Sequence, residues 1–177
     1  MSRSTTSHFN IKADLDKLDQ HSAAFMSTMI MKDLQEGLQD HSLNHTQKKF
    51  LKSVITQGTM KFYLFPSFNP AEPSIGVASK NLKAIMHVAF HTTDKKFLKF
   101  YDSPYIIDLL HIHSFQKGEG RKLMAAFKEL QKATNVPGSL WTESEKNVDY
   151  FKQFGFENLG RLGSDGEFLM MLPKDAK

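Results

Sequence analysis

Between Tyr105 and Thr134 the chain reads YIIDLLHIH, then SFQKGEG, then RKLMAAFKELQKAT. The first block is apolar and β-branched, as a buried strand over Tyr105 to Ile112 requires. The last places Leu123, Phe127 and Leu130 on one stripe of a helix, widened by Ala126 and Ala133. The short link between them carries Gly118 and Gly120, so strand must give way to helix within a few residues. That restricts the fold to an α/β arrangement in which the helix packs back on the sheet. The same glycines let backbone N–H groups converge, and a helix opening at Gly120 adds its first-turn amides and the positive end of its dipole. Lys117, Arg121 and Lys122 put three cations around one point. Together, residues Lys117, Gly118, Glu119, Gly120, Arg121 and Lys122 suit a phosphate-bearing ligand. The plainer alternative is a strand-to-helix turn with a solvated basic start, although cations there oppose the dipole.

The flanking sequence extends this unit. His8 to Ile11 reads as a first strand, and Asp14 as the cap of a helix running from Leu15 to about Leu38. Its stripe of Phe25, Met26, Met29 and Ile30 is expected in the core, or else lining a substrate pocket. A second helix spans Thr46 to Ile55, with strands at Met60 to Phe65 and Lys83 to His91. The segment 66–75, holding Pro66, Pro70 and Pro73, reads as a loop. After Pro137-Gly138 come a short strand over Ser139 to Glu143, a helix capped by Ser144 and ended by Gly155, and a hairpin from Phe156 to Leu172 around Gly163 to Gly166. The expected fold is α/β: a mixed, mostly antiparallel central sheet with helices on both faces, in one domain over residues 1–177.

Composition narrows the chemistry. With no Cys, disulfides, thiolate metal sites and a Cys nucleophile are excluded. The N-terminus lacks the apolar core of a signal peptide and no run of about 18 apolar residues occurs, so a cytoplasmic protein with no membrane partner is expected. A net charge of +4 suits an anionic ligand but does not by itself point to nucleic acid. The basic and aromatic run Lys95-Lys96-Phe97-Leu98-Lys99-Phe100 is expected as a solvated loop with buried rings. His87, His91, His111 and His113 fall in pairs on strand faces, but without Cys no metal site is expected.

From residue 80 to 172 the chain resembles the GNAT family of acyl-CoA-dependent N-acetyltransferases. The resemblance rests on strand, GEG loop, helix and strand, followed by SEKNVDYFKQFGF. It implies acetyl-CoA as cosubstrate and an amine as acceptor. The loop amides, with Gln116 at the family's Gln/Arg position if the loop is short, would take the pyrophosphate. Leu110, His111 and Ile112 would take the pantetheine and supply oxyanion donors, and Ser144, Asn147 and Phe151 would meet the far end of the arm. The strands bearing Asp108 and Trp141 would splay apart to admit it. Ungapped counting places Phe115 at the Gln/Arg position. Four residues before Gly155, where the family commonly has a Tyr that protonates the thiolate, stands Phe151; Tyr150 beside it points about 100° away. The candidate bases are Asp108, unusual within an apolar strand, and Glu143 at the end of the next. Two other functions stay open: a coenzyme A-binding module with little catalysis, and an acetyltransferase acting on aminoacyl-RNA. A homodimer is compatible with all of these.

Overall fold

The computed structural model describes residues 15–67 and 74–174. The expected strand at His8 to Ile11 and the cap at Asp14 lie outside them. Asp19, not Asp14, opens the first full helix, α1 (Gln20–Gly37), its carboxylate accepting the Ser22 N–H at 2.7 Å. Asn44 opens α2 (His45–Met60) through a capping box: the Gln47 N–H donates to Asn44 Oδ1 (3.0 Å), and Gln47 Oε1 accepts the Asn44 N–H (2.9 Å). The helix therefore starts close to expectation but runs a turn past Ile55.

Strands β1 (Phe62–Pro66), β2 (Ile75–Ser79) and β3 (Ala84–Thr92) follow, then a 3-10 turn (Lys95–Phe97) and α3 (Leu98–Tyr101). The unit read from the sequence is β4 (Tyr105–Ser114) and α4 (Glu119–Thr134); Ala133 faces solvent rather than the core. The chain ends with β5 (Gly138–Thr142), α5 (Glu145–Lys152), β6 (Glu157–Arg161) and β7 (Phe168–Leu172). Strand β2 has no counterpart in the sequence reading: Ile75 falls at the end of the 66–75 loop and 76–79 in no expected element. Its residues IGVAS are half-buried or buried throughout, so they lack the alternation that marks a half-exposed strand.

Among the described residues seven strands form one sheet in the order β1-β2-β3-β4-β5-β7-β6, and of their contacts only β4–β5 is parallel. One face carries the main core, where α2 and α4 (Phe50, Val54, Leu123, Phe127) cover Leu64, Met86, Ile107 and Leu109 and α5 adds Val148 and Phe151. On the other face Tyr101 packs with Ile106 and Leu169, and Phe97 and Trp141 lie against them. The sheet is thus mixed and mostly antiparallel with helices on both faces. Helix α1 runs beside the edge strand β1, where the Leu64 N–H donates to buried Ser27 Oγ at 2.9 Å. Phe25 and Met29 consequently face outward, 66% and 45% exposed, while Met26 and Ile30 of the same stripe pack against the core.

A single helical glycine shows how tightly α2 sits on the sheet. A Cβ on Gly58 would lie 2.6 Å from Leu64 Cγ, and Leu64 is fully buried. Helix propensity alone favours Gly58→Ala by about 1 kcal/mol. The packing reverses that sign: the variant is expected to lose about 1–3 kcal/mol, read as a lower urea midpoint at unchanged slope.

Candidate active site

Strand β4 is built in two halves. Ile107 and Leu109 join the core beneath α4, yet beyond them Ile112 packs there instead. The pairing with β3 explains the switch: Val88 faces Leu109 and His87 faces His111, so Leu110 is an extra residue without a partner on β3. Such a bulge reverses which side chains point to each face. It turns Ile112 toward the helix side, and His111 toward the other.

On its opposite edge β4 meets β5 for only two residue pairs, Ile107 with Gly138 and Asp108 with Ser139. Past that point β4 continues to Ser114 paired with β3 alone, while β5 keeps its pairing with β7, Leu140 opposite Met170 and Trp141 opposite Leu169. The two central strands therefore part at Asp108 and Ser139, and the bulge sits just after the parting. The splay expected between the strands of Asp108 and Trp141 is present.

On the helix side a cleft of about 620 Å³ opens beside this gap. Ile112, Ser114, Gln116 and Gly118 form one wall, and Asn147, Tyr150 and Phe151 form the other. Gly118 caps α4 at φ 90°, in the region that glycine enters without strain. The Glu119 N–H bonds to Gln116 O and the Gly120 N–H to Ser114 Oγ (3.1 Å). The N–H groups of Lys117, Gly118 and Arg121 have no acceptor among the described residues. Lys117 and Arg121 line the cleft with them. That set can bind an anion by direct backbone donation.

The third cation departs from expectation. Lys122 Nζ sits 2.6 Å from Glu119 Oε1, and both line a separate cavity on the flank of α4 with Lys61 and Glu129. Glu119 is 4% exposed, so its carboxylate anchors Lys122 there and away from the glycine turn. Neither side chain belongs to the cleft. Of Leu110, His111 and Ile112, only Ile112 lines it. Ser144 occupies the cap position of α5 but makes no side-chain cap bond, and Asn147 Nδ2 donates to Thr142 Oγ1 (3.2 Å). Phe151 is buried against Tyr150 and Phe156. A Cβ on Gly120 would come 3.2 Å from Tyr150 Oη, which sets that hydroxyl at the glycine turn. Burial raises the Tyr150 phenol above its usual range, opposed by Arg121.

On the other face lies a second cleft, of about 730 Å³, and Asp108 forms part of it. Asp108 Oδ1 accepts from Ser139 Oγ at 2.7 Å, and His91 Nε2 stands 3.7 Å from Oδ2. Burial pushes the Tyr101 phenol up to about 12; a hydrogen bond with Ser139 opposes this and the Asp108 charge reinforces it. Glu143 is exposed and lines neither cleft, so the two expected carboxylates do not meet. A charge at a strand end is easily carried into solvent, whereas one in mid-strand is held. His91, Tyr101 and Ser139 were missed as neighbours of Asp108. Antiparallel pairing places His91 opposite Ile106 and Ala89 opposite Asp108, a register not visible before the strands are paired.

The histidines separate likewise. The His87 and His111 rings lie 6.1 Å apart and those of His111 and His113 6.5 Å, while His91 belongs to the Asp108 cleft. Among the described residues no three His, Asp or Glu side chains converge to hold a metal ion. No described helix is long and apolar enough to cross a membrane.

No family model and no curated protein matches the sequence. Among solved structures the chain is similar to a histone acetyltransferase and related acetyltransferase from Corynebacterium glutamicum, at 11% identity and a TM-score of 0.38, over 88% of this chain and 93% of the other. It is also similar to an acetyltransferase from Bacillus subtilis in complex with CoA, at 12% identity and a TM-score of 0.35, over 69% of this chain and 83% of the other. Likenesses this distant say nothing of what this chain binds.

The buried imidazole beneath the site has a measurable signature. Burial, then the neighbouring His111 and His113, push His87 down to about 4 from 6.5. Because the folded value lies below the unfolded one, His87 contributes its full stability above pH 6.5. That contribution falls as pH drops toward 4, by up to about 3 kcal/mol, since the unfolded chain takes up a proton that the folded one refuses. Unfolding free energies measured across this window should slope downward with acid in the wild type and slope less in His87→Asn.

Proposed function

We propose that the chain is an N-acetyltransferase that transfers an acetyl group from acetyl-CoA directly to the amine of a small molecule or peptide, as a single domain. The observation that carries this is the parting of β4 from β5 at Asp108 and Ser139, beside a glycine turn with unbonded amides. A thioester arm needs an anion cradle, a slot between strands and a reactive group at the slot's far end. The unbonded amides, the strand gap and Asp108, in that order, support this reading. In this account the amides of Lys117, Gly118 and Arg121 hold the pyrophosphate, with Lys117 and Arg121 balancing its charge. Ile112 guides the arm toward the gap, and Asn147, Tyr150 and Phe151 close its other side. Glu119 and Lys122 support the turn from outside.

The acetyl group then emerges beside Asp108. An ammonium must lose a proton before it can attack, and Asp108 is the base in reach, held by Ser139 and flanked by His91. Backbone N–H groups near the Leu110 bulge would receive the oxyanion. Phe151 cannot protonate the leaving thiolate, so solvent or Tyr150 supplies that proton. The missing phenol at Phe151 is also the one observation that favours a second function, a coenzyme-binding module with slow turnover. The basic charge that motivated aminoacyl-RNA as acceptor finds no counterpart at Asp108.

Acetyl-CoA at about 1,000 times its dissociation constant should stabilise the fold by about 4 kcal/mol, seen as a thermal shift. Gly120→Val places bulk against Ser114 and Tyr150 and should remove that shift. Absence of any shift in the wild type rules out the coenzyme site.

Asp108→Asn keeps its shape and can still accept from Ser139. With an amine substrate in hand, it should lower kcat by about 10²–10⁴ and leave coenzyme binding unchanged. Unaltered kinetics would make Asp108 structural.

A further inference from the structure

The cleft around Asp108 carries a charge pattern opposite to that of the whole protein. The chain has a net charge of +4, yet Asp94, Asp108 and Glu167 line this cavity against one lysine, Lys96. The carboxylates stand at two levels. Asp108 is buried at the strand parting, while Asp94 and Glu167 are exposed or nearly so at the mouth. Between them one wall is aromatic: the Phe97 and Trp141 rings meet edge to face at 5.7 Å. Asp94 accepts the Lys96 N–H at 3.1 Å and lies 3.7 Å from its ammonium; Glu167 accepts the Asp165 N–H at 3.1 Å. Both retain lone pairs for a further donor, because a carboxylate can accept about four.

A buried carboxylate, an aromatic wall and a second acidic level describe a receptor for a cation with an apolar stem. Aromatic faces attract an ammonium and tolerate methylenes, and the outer carboxylates attract another positive group. The same charges repel an acceptor bearing a carboxylate or a phosphate. We propose that the acceptor is an alkylammonium with a second cationic group beyond an aliphatic stem. Its reacting nitrogen sits at Asp108 and His91, its stem along the wall formed by Phe97 and Trp141, and its second cation at Asp94 and Glu167. This rests on the acetyltransferase function proposed above. The ammonium gives one proton to Asp108, and the neutral nitrogen attacks the thioester carbonyl carbon. The C–N bond forms as the C–S bond breaks; the nitrogen gives its second proton to solvent, and the thiolate takes one from solvent or Tyr150. The products are an amide, a thiol and the proton that Asp108 passes to solvent.

The chemistry has two sources, a free diamine and a lysine side chain in a basic peptide. With saturating acetyl-CoA, thiol release is compared for 1,4-diaminobutane, a blocked peptide holding two lysines, n-butylamine, glutamate and a 3′-aminoacyl nucleotide. Coenzyme binding is measured separately by calorimetry. One of the two dicationic acceptors should exceed butylamine in kcat/KM by about tenfold, and glutamate and the nucleotide by more, with a KM that rises with salt. The better of the two identifies the source. The double variant Asp94→Asn with Glu167→Gln should raise KM for that acceptor about tenfold more than for butylamine. Coenzyme binding with equal or better turnover of the anionic acceptors, or with no turnover of either dication, overturns the acceptor class alone. So does an unchanged KM in the double variant. Failure to bind coenzyme overturns the acetyltransferase function and the acceptor class with it.

Discussion

The hydrogen bond from Ser139 Oγ to Asp108 Oδ1, 2.7 Å long and buried, marks the last point at which β4 and β5 act as one sheet. It holds a carboxylate in mid-sheet, where an unpaired charge would be strongly unfavourable. It also lies where the strands separate, so the same pair closes the sheet on one side and opens a slot on the other. Two clefts lie on opposite faces of the sheet, one basic with backbone donors and one acidic with an aromatic wall.

The bulge at Leu110 gives the slot its two-sided character. Without the extra residue, side chains along β4 would keep one alternation, and Ile112 would point away from the helix side. With it, Ile107, Leu109 and Ile112 all face α4, while Asp108 and His111 face the other way. The Gly118 turn then needs only a few residues to bring the start of α4 back over the end of β4. Ser114 ties that return, accepting the Gly120 N–H while donating to Gln116 O.

The β4–α4 unit was legible because its periods are local: a strand, two glycines and a stripe of Leu123, Phe127 and Leu130. Asp108 stood out for the same reason, a charge inside an apolar strand. What escaped depended on partners distant in sequence. Strand β2 is covered on both faces and so shows no alternation. The stripe of Phe25 and Met29 has the right period for a helix, but periodicity does not say which stripe a sheet edge will cover, and Ser27 and Ala23 took that place. Lys122 looked equivalent to Lys117 and Arg121 until buried Glu119 drew it to the flank of α4. Glu143, the other candidate base, lies in solvent just past the end of β5, whereas strand pairing buries Asp108.

The central claim is that the gap between β4 and β5 receives the thioester arm from the glycine-turn side. Amide chemical-shift mapping of the isotopically labelled protein during a titration with coenzyme A tests it most directly. The account requires shifts at Lys117 to Arg121, along Leu109 to Ile112 and at Leu140 to Thr142, on both strands that flank the gap. Saturable binding whose shifts fall on the Lys61 and Glu129 cavity, or that leaves either flanking strand unmoved, would contradict it.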